Sequence, residues 1–580
     1  MPIQLITRTP GDLVLPESLP PLVRRIYSQR PLAALTELEL TLSQLIPPAR
    51  LKGIDAAVDL LEAALKEGER LLIVADFDAD GATSCALALT VLRAFGCAHV
   101  DYIVPNRFEY GYGLTPEIVE LAKGKNPDLI ITVDNGISSI EGIESARAAG
   151  IKTLVTDHHL PGRELPAADA IVNPNQPGCE FPSKSIAGVG VIFYVMLALR
   201  SRLRDNGWFT SKGIPEPNLA EQLDLVALGT VADVVALDHN NRILVSEGIK
   251  RIRAGRARPG ILSLLILAKR NFSTLAASDL GFAVGPRLNA AGRLDDMSTG
   301  IECLLTQSEH EAHEYALELD GMNKDRRDIE AGMREQAFAL VDQLAFDADD
   351  LPAGLSLFDE RWHQGVVGIV ASRIKERCHR PVIAFALADA DDPESELKGS
   401  ARSIPGFHIR DALDAVAAAN PGLVTKFGGH AMAAGLSLSR ANFDAFAQAF
   451  AAEATRVLSP ELLQATIVSD GELSAEELTL GCAADLAAAG PWGQAFPEPT
   501  FHGRFKLQQQ RRLGENHLKM VLSPLGDDGF LVDAIAFGVS EADWPASSAT
   551  EIELAYRLNI NEFRGARTLQ LMVEHLLGSH

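Results

Sequence analysis

Past about residue 70 the apolar positions fall into short unbroken runs, separated by stretches with helical spacing. Leu71 to Ala75, Val100 to Val104, Leu129 to Val133, Lys152 to Thr156 and Ala170 to Val172 read as strands. Ala82 to Phe95, Pro116 to Ala122 and Ser138 to Ala149 read as the helices between them. Continuous apolar strands alternating with helices predict a parallel sheet covered on both faces. Residues 1–45 are rich in Pro and Leu and read as a short helical lead-in. Residues 185–260 read as mostly helical.

From 304 to about 345 the helical spacing continues with heavy charge. A helix of about 40 residues would be roughly 60 Å long, enough to connect two lobes. The other reading is a charged hairpin of two shorter helices. A second α/β unit follows. Its strands are expected at Leu355 to Phe358, Val382 to Ala386 and Leu397 to Arg402, and its helices at Gly365 to Arg377 and Ile409 to Ala419. The acidic stretch 388–396 reads as an exposed loop. Beyond about 465, five alternating runs predict a small β-barrel of the OB type.

The length of 580 residues suggests about three or four domains. A 47% hydrophobic content excludes wholesale disorder. There is no apolar run of the roughly 18 residues a membrane helix needs. Nor does the N-terminus read as a signal peptide, so a cytoplasmic protein without membrane association is expected. None of the six cysteines forms a C-x-x-C pair, which argues against a zinc ribbon or a disulfide framework. The formal charge of −24 disfavours indiscriminate binding to nucleic acid. Two basic islands, Arg361 to Arg380 and Arg504 to Lys519, each net +4 and offer a local track for a polyanion.

The strongest chemistry lies at the strand ends. Asp76, Asp78 and Asp80 follow the first strand, Asp134 follows Leu129 to Val133, and Asp157, His158 and His159 follow Lys152 to Thr156. Strand carboxyl ends of an open parallel sheet line one crevice. Clustered carboxylates repel one another unless a cation neutralises them. Carboxylates with a little imidazole suit Mn²⁺ or Mg²⁺ better than a thiol-seeking metal. Each piece alone is compatible with a helix cap or a turn. Asp233, inside the apolar stretch 223–237, wants either a cap role or the metal.

These motifs resemble those of the DHH phosphoesterase superfamily, and within it the RecJ group of single-strand-specific exonucleases. The resemblance rests on DFDADG (76–81), TVDNG (132–136), DHH (157–159) and GTVADVV (229–235) in that order. It extends through PNRFEYGYGL (105–114), GPRLNAAGR (285–293), WHQGVVGIVASRIKERCHRPVI (362–383), GSARSIPGFHI (399–409) and KFGGHAMAAG (426–435).

The resemblance implies an α/β fold in five parts. These are a lead-in (1–45), a parallel-sheet DHH catalytic domain (46–303), a connecting helix (304–346), a smaller α/β DHHA1 domain (347–458) and a C-terminal OB-type barrel (459–580). It implies two ions, Mn²⁺ or Mg²⁺, held by Asp78, Asp80, Asp134, His158 and Asp233. Asp134 would bridge them, and Asp76, Asp157 and His159 would assist catalysis. Two cations about 4 Å apart would clamp a phosphodiester and activate water.

Ser400 and Arg402 would grip a 5′-terminal phosphate, with Arg287 or Arg293 assisting. Gly428 and Gly429 would let the backbone approach the strand, Arg107 would bind substrate, and His430 would touch phosphate or pack. Tyr110, Tyr112 and Trp362 are candidate stacking faces. The implied activity is 5′→3′ hydrolysis of single-stranded DNA to 5′-mononucleotides in recombination, repair and mismatch repair. The implied partners are single-strand binding protein and a RecQ-type helicase, and a monomer is expected. The alternatives are a phosphodiesterase of short oligonucleotides or cyclic dinucleotides, and an inactive DNA-binding scaffold.

Overall fold

The structure is a computed structural model. It describes residues 4–105, 110, 113–344, 351–390, 392–429, 431–514, 517–526, 529–539, 544, 549–563 and 565–579. The chain forms two units, one from residues 7–323 and 469–580, the other from residues 1–6 and 324–468.

In the first unit, five parallel strands run in the order Val100–Ile103, Leu71–Ala75, Leu129–Val133, Lys152–Thr156, Ala170–Val172. Alternate side chains go to opposite faces. Ile73, Ile131 and Leu154 pack into the large core with helices Ile54–Glu67, Ala79–Ala94, Gly188–Asp205 and Leu223–Ala232. Leu72, Val74, Ile130 and Val155 pack against Pro116–Lys123 and Ile140–Ala148. Burial on both faces is why these strands carry no polar alternation. Each such buried Leu or Ile contributes about 1.5–3 kcal/mol over an exposed one.

The C-terminal strands of this unit close into a barrel ordered Phe501–Leu513, His517–Pro524, Val532–Phe537, Ala566–Ser579, Glu551–Phe563. Its core holds Phe501, Phe505, Leu522, Tyr556 and Leu571. The lead-in ties the barrel to the sheet domain. Arg30, whose side chain is fully buried, makes a two-pronged pair with Asp470 at 2.6 and 3.0 Å. Arg242 of the sheet domain pairs with Glu37 of the lead-in at 3.3 Å and lies 4.2 Å over the Phe496 ring, and the Leu237 amide donates to the Gln494 carbonyl at 2.8 Å. The lead-in therefore does more than its composition suggests. It holds the helix Pro21–Ser28 and also a strand, Gln4–Thr7, which pairs with Thr466–Ser469.

Glu309–Leu344 is a single 36-residue helix, about 54 Å long; the two-helix hairpin does not form. In the second unit a mixed sheet runs Lys426–Gly429, Ala433–Leu438, Leu397–Arg402, Val382–Leu387, Leu355–Phe358. Helix Val367–Cys378 covers one face, and Ile409–Ala419 and Phe443–Val457 cover the other. The glycine-rich hairpin at 426–438 was not expected from the sequence as paired strands. KFGG and AAGL lack the β-branched residues that signal them.

Candidate metal centre

The parallel register builds the site. Ala75 pairs with Val133, and Val133 pairs with Thr156. The next residues, Asp76, Asp134 and Asp157, are therefore neighbours across three adjacent strand ends, each strand about 4.8 Å from the next. The backbone continues this alignment past the strands. The Asp76 amide donates to the Val133 carbonyl (3.3 Å), and the Asp134 amide donates to the Thr156 carbonyl (3.0 Å).

Local sequence then aims each side chain. Asp78 caps the helix Ala79–Ala94, accepting from the amides of Asp80 and Gly81 at 2.9 and 3.0 Å. Asp134 has φ +62°, a left-handed turn that Asn and Asp tolerate better than most residues. Asn135 fixes this turn through Nδ2, which donates to the carbonyls of Val74 and Val133. Asp80 sits at the N-terminus of helix Gly188–Asp205 and accepts from the amides of Gly188 (2.6 Å) and Val189 (2.9 Å). Asp233 ends helix Leu223–Ala232. A Cβ on Gly188 would lie 2.5 Å from Asp134 Oδ1, and one on Gly229 would lie 2.7 Å from Asp80 Oδ1. These glycines let two helices close onto the carboxylates.

The assembled cluster has ligand atoms within 4.8 Å of one another in three overlapping sets: Asp76, Asp78 and Asp134; Asp80, His158 and Asp233; Asp134, His158 and His159. His158 Nε2 lies 3.1 Å from Asp134 Oδ1, 3.4 Å from Asp233 Oδ2 and 4.0 Å from Asp80 Oδ2. Burial pushes the Asp80 carboxyl up to about 7, helped by the charge of Asp78 and opposed by the two helix amides. Burial and the surrounding carboxylates hold Asp134 and Asp233 well above the ordinary carboxylate range. A divalent cation removes this repulsion. The donor set, carboxylate oxygens with one or two imidazoles, fits Mn²⁺ or Mg²⁺.

Asp157 stands one step back. It accepts from the amides of Ile137, His158 and His159 and from His159 Nδ1 (2.8 Å). Burial disfavours its charge, but the His159 contact and these amides keep its pKa below the usual value. Burial likewise works against a charged His159, yet Asp157 and the nearby carboxylates push it up to about 9.

Several supporting residues escape a reading that looks only for ligands. Asn173 and Asn175 donate to the carbonyls of His159 and His158, at 2.9 and 2.6 Å. Asn289 accepts from the Ala79 amide at 2.7 Å. The signals were present, in the short NPN run at 173–175 and in the GPRLNAAGR motif.

The other expected residues belong to none of these three ligand sets. Arg287 is 7% exposed, bonded to Asp320 (2.8 Å) and to the Ala283 carbonyl, so its guanidinium braces the long helix at Asp320. Arg293 lies near the end of helix Gly285–Leu294.

In the second unit, Gly428 and Gly429 are on the hairpin strand, with Gly429 at φ +138°. Ser400 and Arg402 are on strand Leu397–Arg402, and Arg402 Nη1 donates to Ser400 Oγ (3.1 Å) and the Ala401 carbonyl (2.8 Å). A Cβ on Gly368 would lie 2.8 Å from Arg402 Nη2 and 2.9 Å from Ser400 Oγ. Arg107, Tyr112 and His430 lie outside the described residues. Trp362 is not a stacking face. It is 3% exposed, and its indole donates to Gln336, because the long helix covers it. In the basic islands, Arg361 pairs with Asp359, Arg373 with Glu330 and Glu376, and Arg504 with Glu551, which reduces their free charge.

Comparison with known proteins agrees with this geometry. The DHH family, N-terminal domain, matches residues 70–230, the DHHA1 domain matches residues 351–456, and the RecJ OB domain matches residues 469–575. The chain is 57% identical over 573 residues to the single-stranded-DNA-specific exonuclease RecJ of Dickeya dadantii, covering 99% of each. The crystal structure of RecJ from Thermus thermophilus in complex with Mn²⁺ superposes with a TM-score of 0.78 at 31% identity, covering 99% of this chain and 79% of that one. The Mg²⁺ complex from the same organism superposes at 0.73 and 29% identity, with coverages of 99% and 78%. Fold, acidic cluster and likeness agree: the chain belongs to the RecJ family of single-stranded-DNA-specific exonucleases.

Proposed function

We propose that this chain degrades single-stranded DNA from the 5′ end to 5′-mononucleotides, using two Mn²⁺ or Mg²⁺ ions. Its membership of the RecJ family makes it a metal-dependent exonuclease of single-stranded DNA, acting in DNA repair. The observation that carries the mechanism is the overlap of the three ligand sets through Asp134 and His158. Shared ligands suit a pair of ions rather than one.

Asp76, Asp78, Asp80, Asp134, His158 and Asp233 would hold the ions, which when bound supply a nucleophile from water and neutralise charge on the phosphate. Asp157 orients the His159 ring through Nδ1, and His159 would contact a phosphate oxygen. Against the effect of burial, Asp157 raises the His159 pKa, which favours the charged form for that contact. Ser400 and Arg402 would hold the terminal phosphate. Arg293, Gly428, Gly429, Arg107 and His430 are proposed as further DNA contacts, and Arg287, on helix Gly285–Leu294, as a support. The barrel folds as one unit with the metal-site sheet, which favours long strands as substrate over dinucleotides. None of the described helices is long and apolar enough to cross a membrane. A cytoplasmic monomer that works beside single-strand binding protein and a RecQ-type helicase completes the proposal.

The test uses strands labelled at the 5′ or the 3′ end, with Mn²⁺. Labelled mononucleotide should appear at once from the 5′-labelled strand and late from the 3′-labelled one. The opposite order would overturn the polarity.

A further inference from the structure

Beside the metal loop lies a cavity of about 220 Å³, lined by Phe77, Pro105, Tyr110, Met297, Asp295 and Asp296 among others. We propose that it is a nucleobase subsite, taking the base of the terminal nucleotide and favouring bases that carry an exocyclic amino group. The proposal rests on the exonuclease reading above and concerns how that same site selects its substrate.

Position comes first. Phe77 stands between Asp76 and Asp78, and its amide donates to Asp76 Oδ1 at 2.8 Å. The cavity wall therefore includes the residue that stands between two of the candidate metal ligands. The cavity is below the roughly 300–1,000 Å³ of sites for drug-sized ligands, so it suits a single ring system.

The wall is rigid. A Cβ on Gly292 would lie 1.8 Å from the Phe77 carbonyl oxygen, and Asn289 holds the Ala79 amide at 2.7 Å. Helix Gly285–Leu294 is thereby locked onto the metal loop, and the chain leaves it straight into Asp295 and Asp296. Asp296 is fixed in turn by accepting from the Ser298 amide at 2.9 Å through Oδ1.

Chemistry names the occupant. Phe77, Tyr110, Pro105 and Met297 offer flat or polarisable apolar surface for a ring. Asp295 and Asp296 are exposed carboxylates, and they repel phosphate, so the backbone stays outside and the base enters. A carboxylate accepts from the amino groups of cytosine, adenine and guanine. Thymine has no amino group, and its one imino donor is flanked by carbonyls that a carboxylate repels.

The test compares kcat/KM on 5′-phosphorylated strands differing only at the terminal residue: dC, dT or an abasic sugar. Wild type should release dC about three to ten times faster than dT, and the abasic residue more slowly than dC. The double variant Asp295→Asn, Asp296→Asn keeps the shape and the Ser298 contact. Its amides donate as well as accept, so its dC to dT ratio should fall to near one. Equal rates for all three ends in wild type, or an unchanged ratio in the variant, would overturn the subsite and leave the exonuclease reading intact. A wild-type enzyme that cut none of the strands would remove that reading as well.

Discussion

The two five-stranded sheets among the described residues use the same device with opposite charge. In the parallel sheet, adjacent strand ends and the glycine-rich approach of two helices bury several carboxylates together. In the mixed sheet, strand Leu397–Arg402 presents Ser400 and Arg402, and Gly368 lets a helix approach them closely. Burial lowers the Arg402 pKa from its ordinary value, and among the described residues this guanidinium has no carboxylate partner. The first arrangement asks for cations and the second for an anion.

The largest effect expected on this contrast is at Asp134, which belongs to two of the ligand sets. Asp134→Ala should lower Mn²⁺-dependent exonuclease activity by about 10³-fold or more, measured as nucleotide release. Asp157→Asn keeps the shape but weakens the hold on His159, and its loss should be about 10- to 100-fold, the scale of losing a residue that orients a functional histidine. If both variants lost activity equally, the division between ligand and supporting residue would be wrong.

At the anion side, Arg402→Lys keeps the charge but loses the planar fork. KM for 5′-phosphorylated strands should rise about tenfold, with little change for 5′-hydroxyl strands. An equal rise for both would break the assignment to a terminal phosphate.

The smallest expected effect is on stability. Asp80, Asp134 and Asp233 have raised pKa values in the fold. Their contribution to stability is present at low pH and is lost as pH rises through those values. Mn²⁺ binds the deprotonated forms and replaces what is lost. The rise in Tm produced by Mn²⁺ should therefore be larger at pH 8 than at pH 5.5, by roughly 2–4 °C.

Much of this was legible in the sequence, and the differences have physical causes. Strands Leu129–Val133 and Lys152–Thr156 match the expected bounds because burial on both faces leaves an unbroken apolar run. Parallel register then made the acidic cluster foreseeable from strand ends alone. Helix Ala79–Ala94 starts three residues earlier than expected, because Asp78 is its cap as well as a candidate ligand. The closing amides of Gly188 and Val189 come from far along the chain and carry no charge to flag them. The hairpin at 426–438 was hidden by its glycines, and the buried position of Trp362 by the helix that covers it.

The number of ions is the most direct test of the metal centre. Calorimetric titration of the metal-stripped chain with Mn²⁺ should saturate at two ions per chain, and Asp134→Ala should lose at least one of them. Binding that Asp134→Ala leaves unchanged would contradict a cation pair held where those strands end.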